Sequence, residues 1–337
     1  MKQKNFDIPV VLFTFKRLET VQLIVEQIKK VEPQVIYIFS DGARAQVEGE
    51  LARVEEVRDY LNSSIDWKCE KNIVFSENNK GCDCNIRDGL DEVFSKESQA
   101  IVFEDDAVPI PEFFSYCREL LEKYKDEKKV QYIAGFNAIG DNDIIIDDYT
   151  FGKTVPMSGA FATWSDRWNE CDFKMANWPH NRDTKRFDSI FFSSEMKKKY
   201  IGEFNDAYSG KITAWDYIFE HDMMDKNRVA VVPKWNLATS YGYMDGAFHP
   251  QEKKEAAKLL KIMSRTDTTI TFPLNGPTNI IDNVTYNKER QKKMLSVKGN
   301  ILVRAIKRMG RKVKEWLYNN LPKNIWNYMR DMYNEKI

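Results

Sequence analysis

From Ile8 to Ala134 the chain alternates between two hydrophobic periods, and this alternation limits its fold more than any other feature. Ile8–Phe15 is a β-branched and aromatic run that reads as a strand. Glu19–Val31 has helical spacing, with Val21, Ile24, Val25 and Ile28 on one face. Val35–Phe39 predicts the next strand and ends at Ser40-Asp41-Gly42, and a charged helix follows over about 48–61. A short strand at Ile73–Phe75, a helix over Asp83–Phe94, a strand at Ile101–Phe103, a helix over Glu112–Tyr124 and a strand at Val130–Ala134 complete the series. Strands that alternate with helices imply an α/β fold, a mostly parallel central sheet with helices on both faces.

In such a sheet, ligands bind outside the C-terminal ends of the strands. Thr14 follows the first strand, Asp41 the second, Asn79-Lys80-Gly81 the third and Glu104-Asp105-Asp106 the fourth. Three packed carboxylates repel one another unless a positive group joins them. A divalent cation on a diphosphate is the obvious candidate, since hard oxygen ligands suit Mg²⁺ or Mn²⁺. Asp41 can accept hydrogen bonds from a base or ribose, and Gly81 lets backbone approach a ligand closely. Each feature also has a plain reading: a solvated acidic turn at 104–106, a simple turn at Asp41-Gly42, a tight turn before a helix at Gly81. Their convergence on one sheet edge, rather than any single residue, points to a nucleotide site.

Charge narrows the partners. Lys plus Arg and Asp plus Glu both number 51, so the overall balance favours no polyanionic partner and argues against nucleic acid. The distribution is uneven: Val297–Ile337 holds ten basic residues against three acidic ones. The five cysteines form no CxxC pair, which fits a reduced, cytoplasmic protein. Cys82-Asp83-Cys84 lacks a second ligand pair nearby and reads as free thiols. The N-terminus lacks the apolar core of a signal peptide, and no run is long enough for a transmembrane helix.

The second half is less regular and rich in tryptophan. Helices are expected at Ser194–Phe204 and Ala214–Met224, and a strand at Val229–Val232. Trp164 and Trp168, at i, i+4 spacing, suit the core side of one helix face, with stacking on an acceptor sugar as the alternative. The organisation expected is a catalytic domain over 1–275, a Pro- and Gly-bearing linker over 276–296 and a basic amphipathic helical tail over 297–337. In the tail, Ile301, Leu302, Ala305, Ile306, Met309, Val313, Trp316 and Leu317 form an apolar stripe flanked by Arg304, Lys307, Arg308 and Arg311. That pattern suits an anionic membrane surface, and docking on the catalytic domain or on a second subunit is the alternative. The expected location is cytoplasmic, peripheral on the inner face of the cell membrane.

Several phrases together resemble a known family. They are Val10-Val11-Leu12-Phe13-Thr14-Phe15-Lys16-Arg17, Tyr37-Ile38-Phe39-Ser40-Asp41-Gly42-Ala43-Arg44, Asn78-Asn79-Lys80-Gly81 and Val102-Phe103-Glu104-Asp105-Asp106, followed by Ala162–Trp168 and Asp245–His249. Spanning roughly residues 8–250, they resemble nucleotide-sugar glycosyltransferases of the GT-A fold, in the bacterial family-2-type group that sometimes carries a hemolysin-like label. A more distant resemblance is to the animal Golgi N-acetylglucosaminyltransferase that initiates complex N-glycans, with its Glu-Asp-Asp element and a later Trp-Asp pair, here Trp215-Asp216. The resemblance implies that Asp106 ligates a metal on the donor diphosphate, that Asp105 contacts ribose or metal, and that Asp216 is the catalytic base. The bacterial relatives often lack an acid at the position of Asp216, which otherwise reads as a helix N-terminal acid. His249, in the Gly-bearing turn Met244–Pro250, can complete the metal shell or serve structure alone.

The expected activity is an inverting, metal-dependent hexosyl or N-acetylhexosaminyl transfer. The donor would be a nucleoside-diphosphate sugar, with UDP as the expected nucleotide, and the acceptor a glycan or lipid-linked hydroxyl in capsule or lipopolysaccharide synthesis. A nucleotidyltransferase would need a Gly-rich, basic loop after the first strand, and Phe13-Thr14-Phe15-Lys16-Arg17-Leu18-Glu19 is not one. The non-enzyme alternative is an inactive, membrane-peripheral binding or scaffold protein that keeps the fold.

Overall fold

The computed structural model describes residues 6–140, 143–155, 157, 159–242, 253–264 and 270–297. His249 and the basic tail from 298 onward lie outside these residues. In chain order the first elements are β1 (Val10–Thr14), α1 (Leu18–Val31), β2 (Val35–Ser40), α2 (Glu50–Ser64), β3 (Glu70–Phe75), α3 (Cys82–Phe94) and β4 (Gln99–Glu104). Then come β5 (Ala107–Pro109), α4 (Pro111–Lys123), β6 (Val130–Ala134), β7 (Tyr149–Gly152), β8 (Ala160–Trp164) and α5 (Ser165–Asn169). The rest are α6 (Trp178–Asp183), α7 (Ser194–Tyr208), α8 (Trp215–Asp225), β9 (Val229–Pro233), β10 (Ala238–Ser240), α9 (Lys253–Met263) and α10 (Val284–Val297).

A large central sheet runs in the order β3-β2-β1-β4-β8-β6-β9-β7, and β5 pairs with β10 in a small antiparallel ribbon. The core of the sheet is parallel as expected: β1 pairs parallel with both β2 and β4, and β2 with β3. The sheet as a whole is mixed, because β8 lies antiparallel between β4 and β6, and β7 is antiparallel to β9. These two reversed strands lie in the irregular stretch where the sequence showed no clear period.

Side-chain alternation divides the core between the two faces. Val10, Leu12, Ile36, Ile38, Ile101 and Phe103 point to the side covered by α1, α2 and α4. Val11, Phe13, Tyr37, Phe39, Ala100 and Val102 point to the side covered by α3, α5 and α8. Both faces are buried, so the strands read as continuous apolar runs. Complete burial of each large apolar side chain stabilises by about 1.5–3 kcal/mol. β3 begins at Glu70, before the expected Ile73, because an edge strand continues its backbone pairing through Glu70, Lys71 and Asn72 while their side chains stay largely in water.

Two sequence expectations are corrected. Trp164 and Trp168 do not share a helix: Trp164 ends β8 and donates its indole N–H to the Leu121 carbonyl, while Trp168, in α5, donates to Asp91 Oδ1 at 2.7 Å on the other face. Both are core residues. The stretch expected as a linker over 276–296 is docked. Gly276 lies against the Tyr149 ring, so that a Cβ there would stand 2.0 Å from Cζ. The stretch also contains α10, whose Tyr286 is fully buried and donates its hydroxyl to the Asn137 carbonyl at 2.8 Å. Pro and Gly mark turns in this segment, and burial of Tyr286 decides that it packs rather than links.

Candidate functional site

The register brings the expected residues to one edge. Thr14 stands opposite Ser40, Ser40 opposite Phe75, and Phe13 opposite Glu104, so the ends of β1, β2, β3 and β4 are level. After β4 the chain turns sharply through Asp105 and Asp106 into β5.

The three acids do different things. Asp105 is buried and fully engaged: Arg17 Nη1 donates to Oδ1 at 2.5 Å, the Phe15 N–H donates to Oδ2 at 3.0 Å, and the Thr20 hydroxyl donates to its carbonyl. It ties the acidic turn to the β1–α1 loop. Glu104 accepts the Gly159 N–H at 3.2 Å, and the Cys82 thiol lies 3.9 Å from its other oxygen. Among the described residues, neither Glu104, Asp106 nor Asp216 forms an ion pair within 4 Å. Burial pushes the Glu104 carboxyl well above the ordinary range, and the charges of Asp106, Asp216 and Asp105 push it further. Asp106 is raised in the same way, first by burial and then by Asp105, with Arg17 opposing.

Asp216 sits in the first turn of α8, near enough to Glu104 for its charge to act on that carboxyl. Burial raises Asp216 to about 6, against hydrogen bonds from its own and the Tyr217 backbone N–H, and Asp83 and Glu203 add to the rise. Glu104, Asp106 and Asp216 each keep partial solvent access although protein desolvates them. That combination describes groups set below the surface yet still reached by solvent.

Asp41 holds a loop together. Its Oδ1 accepts the N–H groups of Gly42 (2.9 Å) and Lys80 (2.8 Å), and its Oδ2 accepts the Gly81 N–H (3.0 Å) and the Asn79 side-chain amide (2.9 Å). A carboxylate has about four acceptor sites, and the protein uses all of them. The expected bonds from Asp41 to a base or ribose therefore have no lone pair to form on, and Asp41 positions Asn79-Lys80-Gly81 instead. Arg58 supports the same turn by donating to the carbonyls of Asp41 and Ser76. Gly42 has to be glycine, since a Cβ would come within 2.4 Å of the Asn78 backbone, and Gly81 has φ +80°. The Asn79 side chain remains exposed. Thr14 is buried, and its hydroxyl has no hydrogen-bond partner among the described residues, while its carbonyl accepts the Asp41 N–H at 3.0 Å.

The structure adds residues that the sequence had not singled out. Arg17 is the cation of the acidic turn; its ionised form is favoured by Asp105, Asp106 and Glu104 against the cost of burial. Its place directly after β1 was the available signal. Gly159 and Gly242 flank the Asp106 carboxylate. The Tyr241 N–H donates to the Asp106 carbonyl at 2.7 Å. Neither glycine carried a local signal, because each contact is made across the fold. His221 is a core histidine, ringed by Trp178, Phe187 and Phe204.

Among the described residues, no group of three His, Cys, Asp or Glu side chains converges into a complete metal shell. The donor chemistry still fits a hard cation of the Mg²⁺ type, which binds through one or two carboxylates and takes its other ligands from phosphate and water. Among the described residues, no helix is long and apolar enough to cross a membrane.

Compared with protein-family models and with curated proteins, the chain matches none. Among solved structures it is similar to UDP-glucose pyrophosphorylase complexed with UDP-glucose, at 14% identity over 48% of this chain and 71% of that one, with a TM-score of 0.24. A likeness this slight carries no argument about function.

Proposed function

We propose that this chain is a nucleotide-sugar glycosyltransferase of the GT-A type, acting by metal-dependent, single-displacement, inverting transfer. The observation that carries this reading is the gathering of three acids, Glu104, Asp106 and Asp216, at the C-terminal edge of the parallel strands, with no ion pair to any of them among the described residues. Such a site gains most from a ligand that brings positive charge to two of the carboxylates and a proton to the third.

Asp106 would hold the cation, with Glu104 beside it and His249 as a further candidate ligand. Bound Mg²⁺ or Mn²⁺ would stabilise the negative charge that develops on the departing diphosphate. Asp105 and Arg17 keep the acidic turn in place. Asn79 and the Gly81 backbone would border the nucleoside. Asp216 takes the proton from the acceptor hydroxyl as its oxygen bonds to the anomeric carbon and the carbon–phosphate oxygen bond breaks. Attack from the side opposite the leaving group inverts the anomeric centre. A glycan or lipid-linked acceptor agrees with a basic tail at an anionic membrane surface, as in surface polysaccharide synthesis.

The test is thermal stabilisation by a panel of nucleotides and nucleotide sugars, each with and without Mn²⁺, for the wild type and Asp106→Ala. Metal-dependent stabilisation by one nucleotide class, lost in the variant, supports the reading. A folded protein stabilised by none of them would instead favour a scaffold that has kept the fold.

A further inference from the structure

Helix α8 carries Asp216 in its first turn, yet its N-cap residue, Ala214, has no side chain with which to cap it. The position of that turn therefore depends on what packs against it. Glu220 lies four residues after Asp216 and so on the same face of the helix. Its Oε1 accepts the Tyr200 hydroxyl at 3.0 Å, and the Tyr200 oxygen in turn accepts Arg290 Nη1 at 2.6 Å. The three residues come from α8, α7 and α10 and are 6%, 1% and 4% exposed.

Helix α10 is itself fixed at several points. Asn283 Oδ1 caps it by accepting the Tyr286 N–H at 2.9 Å, and Tyr286 and Asn287 tie it to Asn137 and to the Lys153 N–H. Gln291 accepts the Phe192 N–H at 3.0 Å and donates to the Ile190 carbonyl at 2.7 Å. Arg290 thus projects from an anchored helix into the buried contact between α7 and α8. Burial alone would favour a neutral Glu220, and Arg290 and the Tyr200 hydroxyl oppose that. Removing one partner of such a buried set leaves the other uncompensated, so the arrangement is held as a unit.

We propose that Arg290 is a positioning residue which, through Tyr200, fixes Glu220 and with it the first turn of α8 on which Asp216 stands. The proposal rests on the reading of Asp216 as the base, and it makes α10, far along the chain from the acidic turn, part of the transfer machinery.

The experiment uses the full chain, with Arg290→Met, Arg290→Lys and Tyr200→Phe variants. It measures kcat and donor KM for sugar transfer, together with amide hydrogen exchange at Asp216 and Tyr217. Arg290→Met is expected to lower kcat about tenfold with donor KM within about twofold, and to speed exchange at both amides. Arg290→Lys is expected to recover part of each loss, because the charge is kept. A structural role would lower the melting temperature without changing kcat per folded molecule. Folded Arg290→Met with wild-type kcat and wild-type exchange overturns the proposal. If Arg290→Met does not fold, the near-isosteric Tyr200→Phe decides on the same two measurements. If the wild type transfers no sugar, the reading of the activity fails, while exchange at Asp216 and Tyr217 still decides whether Arg290 holds α8.

Discussion

Gly242 abuts the carboxylate of Asp106: a Cβ on residue 242 would stand 2.1 Å from Oδ2. On the other side, a Cβ on Gly159 would lie 3.0 Å from Oδ1. The carboxylate is the movable end of a side chain, so an added methyl would displace it rather than break the fold. Gly242→Ala is therefore expected to leave the melting temperature nearly unchanged while weakening Mn²⁺-dependent stabilisation. Displacing the support of a metal ligand costs about 10–100-fold in affinity, and a Mn²⁺ titration followed by calorimetry would read it. Unchanged Mn²⁺ binding would remove Asp106 from the metal site.

Asp216→Asn keeps the shape of the side chain and removes its ability to accept a proton. Transfer is expected to fall by about 10²–10⁴-fold, with donor-induced stabilisation retained. In the wild type, kcat/KM should rise with pH along a limb near 6, because burial raises the Asp216 carboxyl to about 6 in the free protein. A pH–rate profile with no limb in that region would argue for another base.

Glu104 gives a stability prediction with a definite sign. Its folded-state affinity for protons is raised by burial and by neighbouring acids. Its contribution to stability is therefore present below the ordinary glutamate range and is lost as pH rises above it. Glu104→Gln should stabilise the free protein on the order of 1 kcal/mol at pH 8 and hardly at all at pH 4.5. Urea unfolding at the two pH values measures this, and equal effects at both would contradict the raised proton affinity of Glu104. The same variant should weaken Mn²⁺ binding, a trade of function for stability.

Asp41→Asn turns one acceptor oxygen into an amide donor that faces two existing donors in either orientation. The expected cost is about 2–3 kcal/mol, from donors left unpaired in a buried turn. It should appear in chemical denaturation as a lower midpoint with the slope unchanged. A loss below a few tenths of a kcal/mol would mean that the 79–81 loop holds its shape without Asp41.

Much of the fold could be read in the sequence because its signals are local. The period-2 and period-3.6 runs located β1, α1, β2, α2, α3, β4, α4 and β6, with α1 found at Leu18–Val31 against an expected Glu19–Val31, while β3 starts earlier than expected and the short β5 was not foreseen. The same logic put Thr14, Asp41, Asn79, Gly81 and Glu104–Asp106 on one edge, since parallel strands end together. The tryptophan-rich second half was harder to read. β7 and β8 are short and buried, with no alternation to mark them, and tertiary pairing makes β8 a strand between β4 and β6.

The sequence by itself determined the alternating architecture and the acidic turn at the end of β4, because hydrophobic period and strand-end chemistry are written residue by residue. What those residues do was decided by tertiary structure. Asp105 is neutralised by Arg17, Asp41 spends its acceptors on a loop, and Glu104 feels the charges of Asp106 and Asp216 with no ion pair of its own among the described residues. Each of these depends on which charges and donors the fold brings near, and a carboxylate's role follows from those partners rather than from its place in the chain.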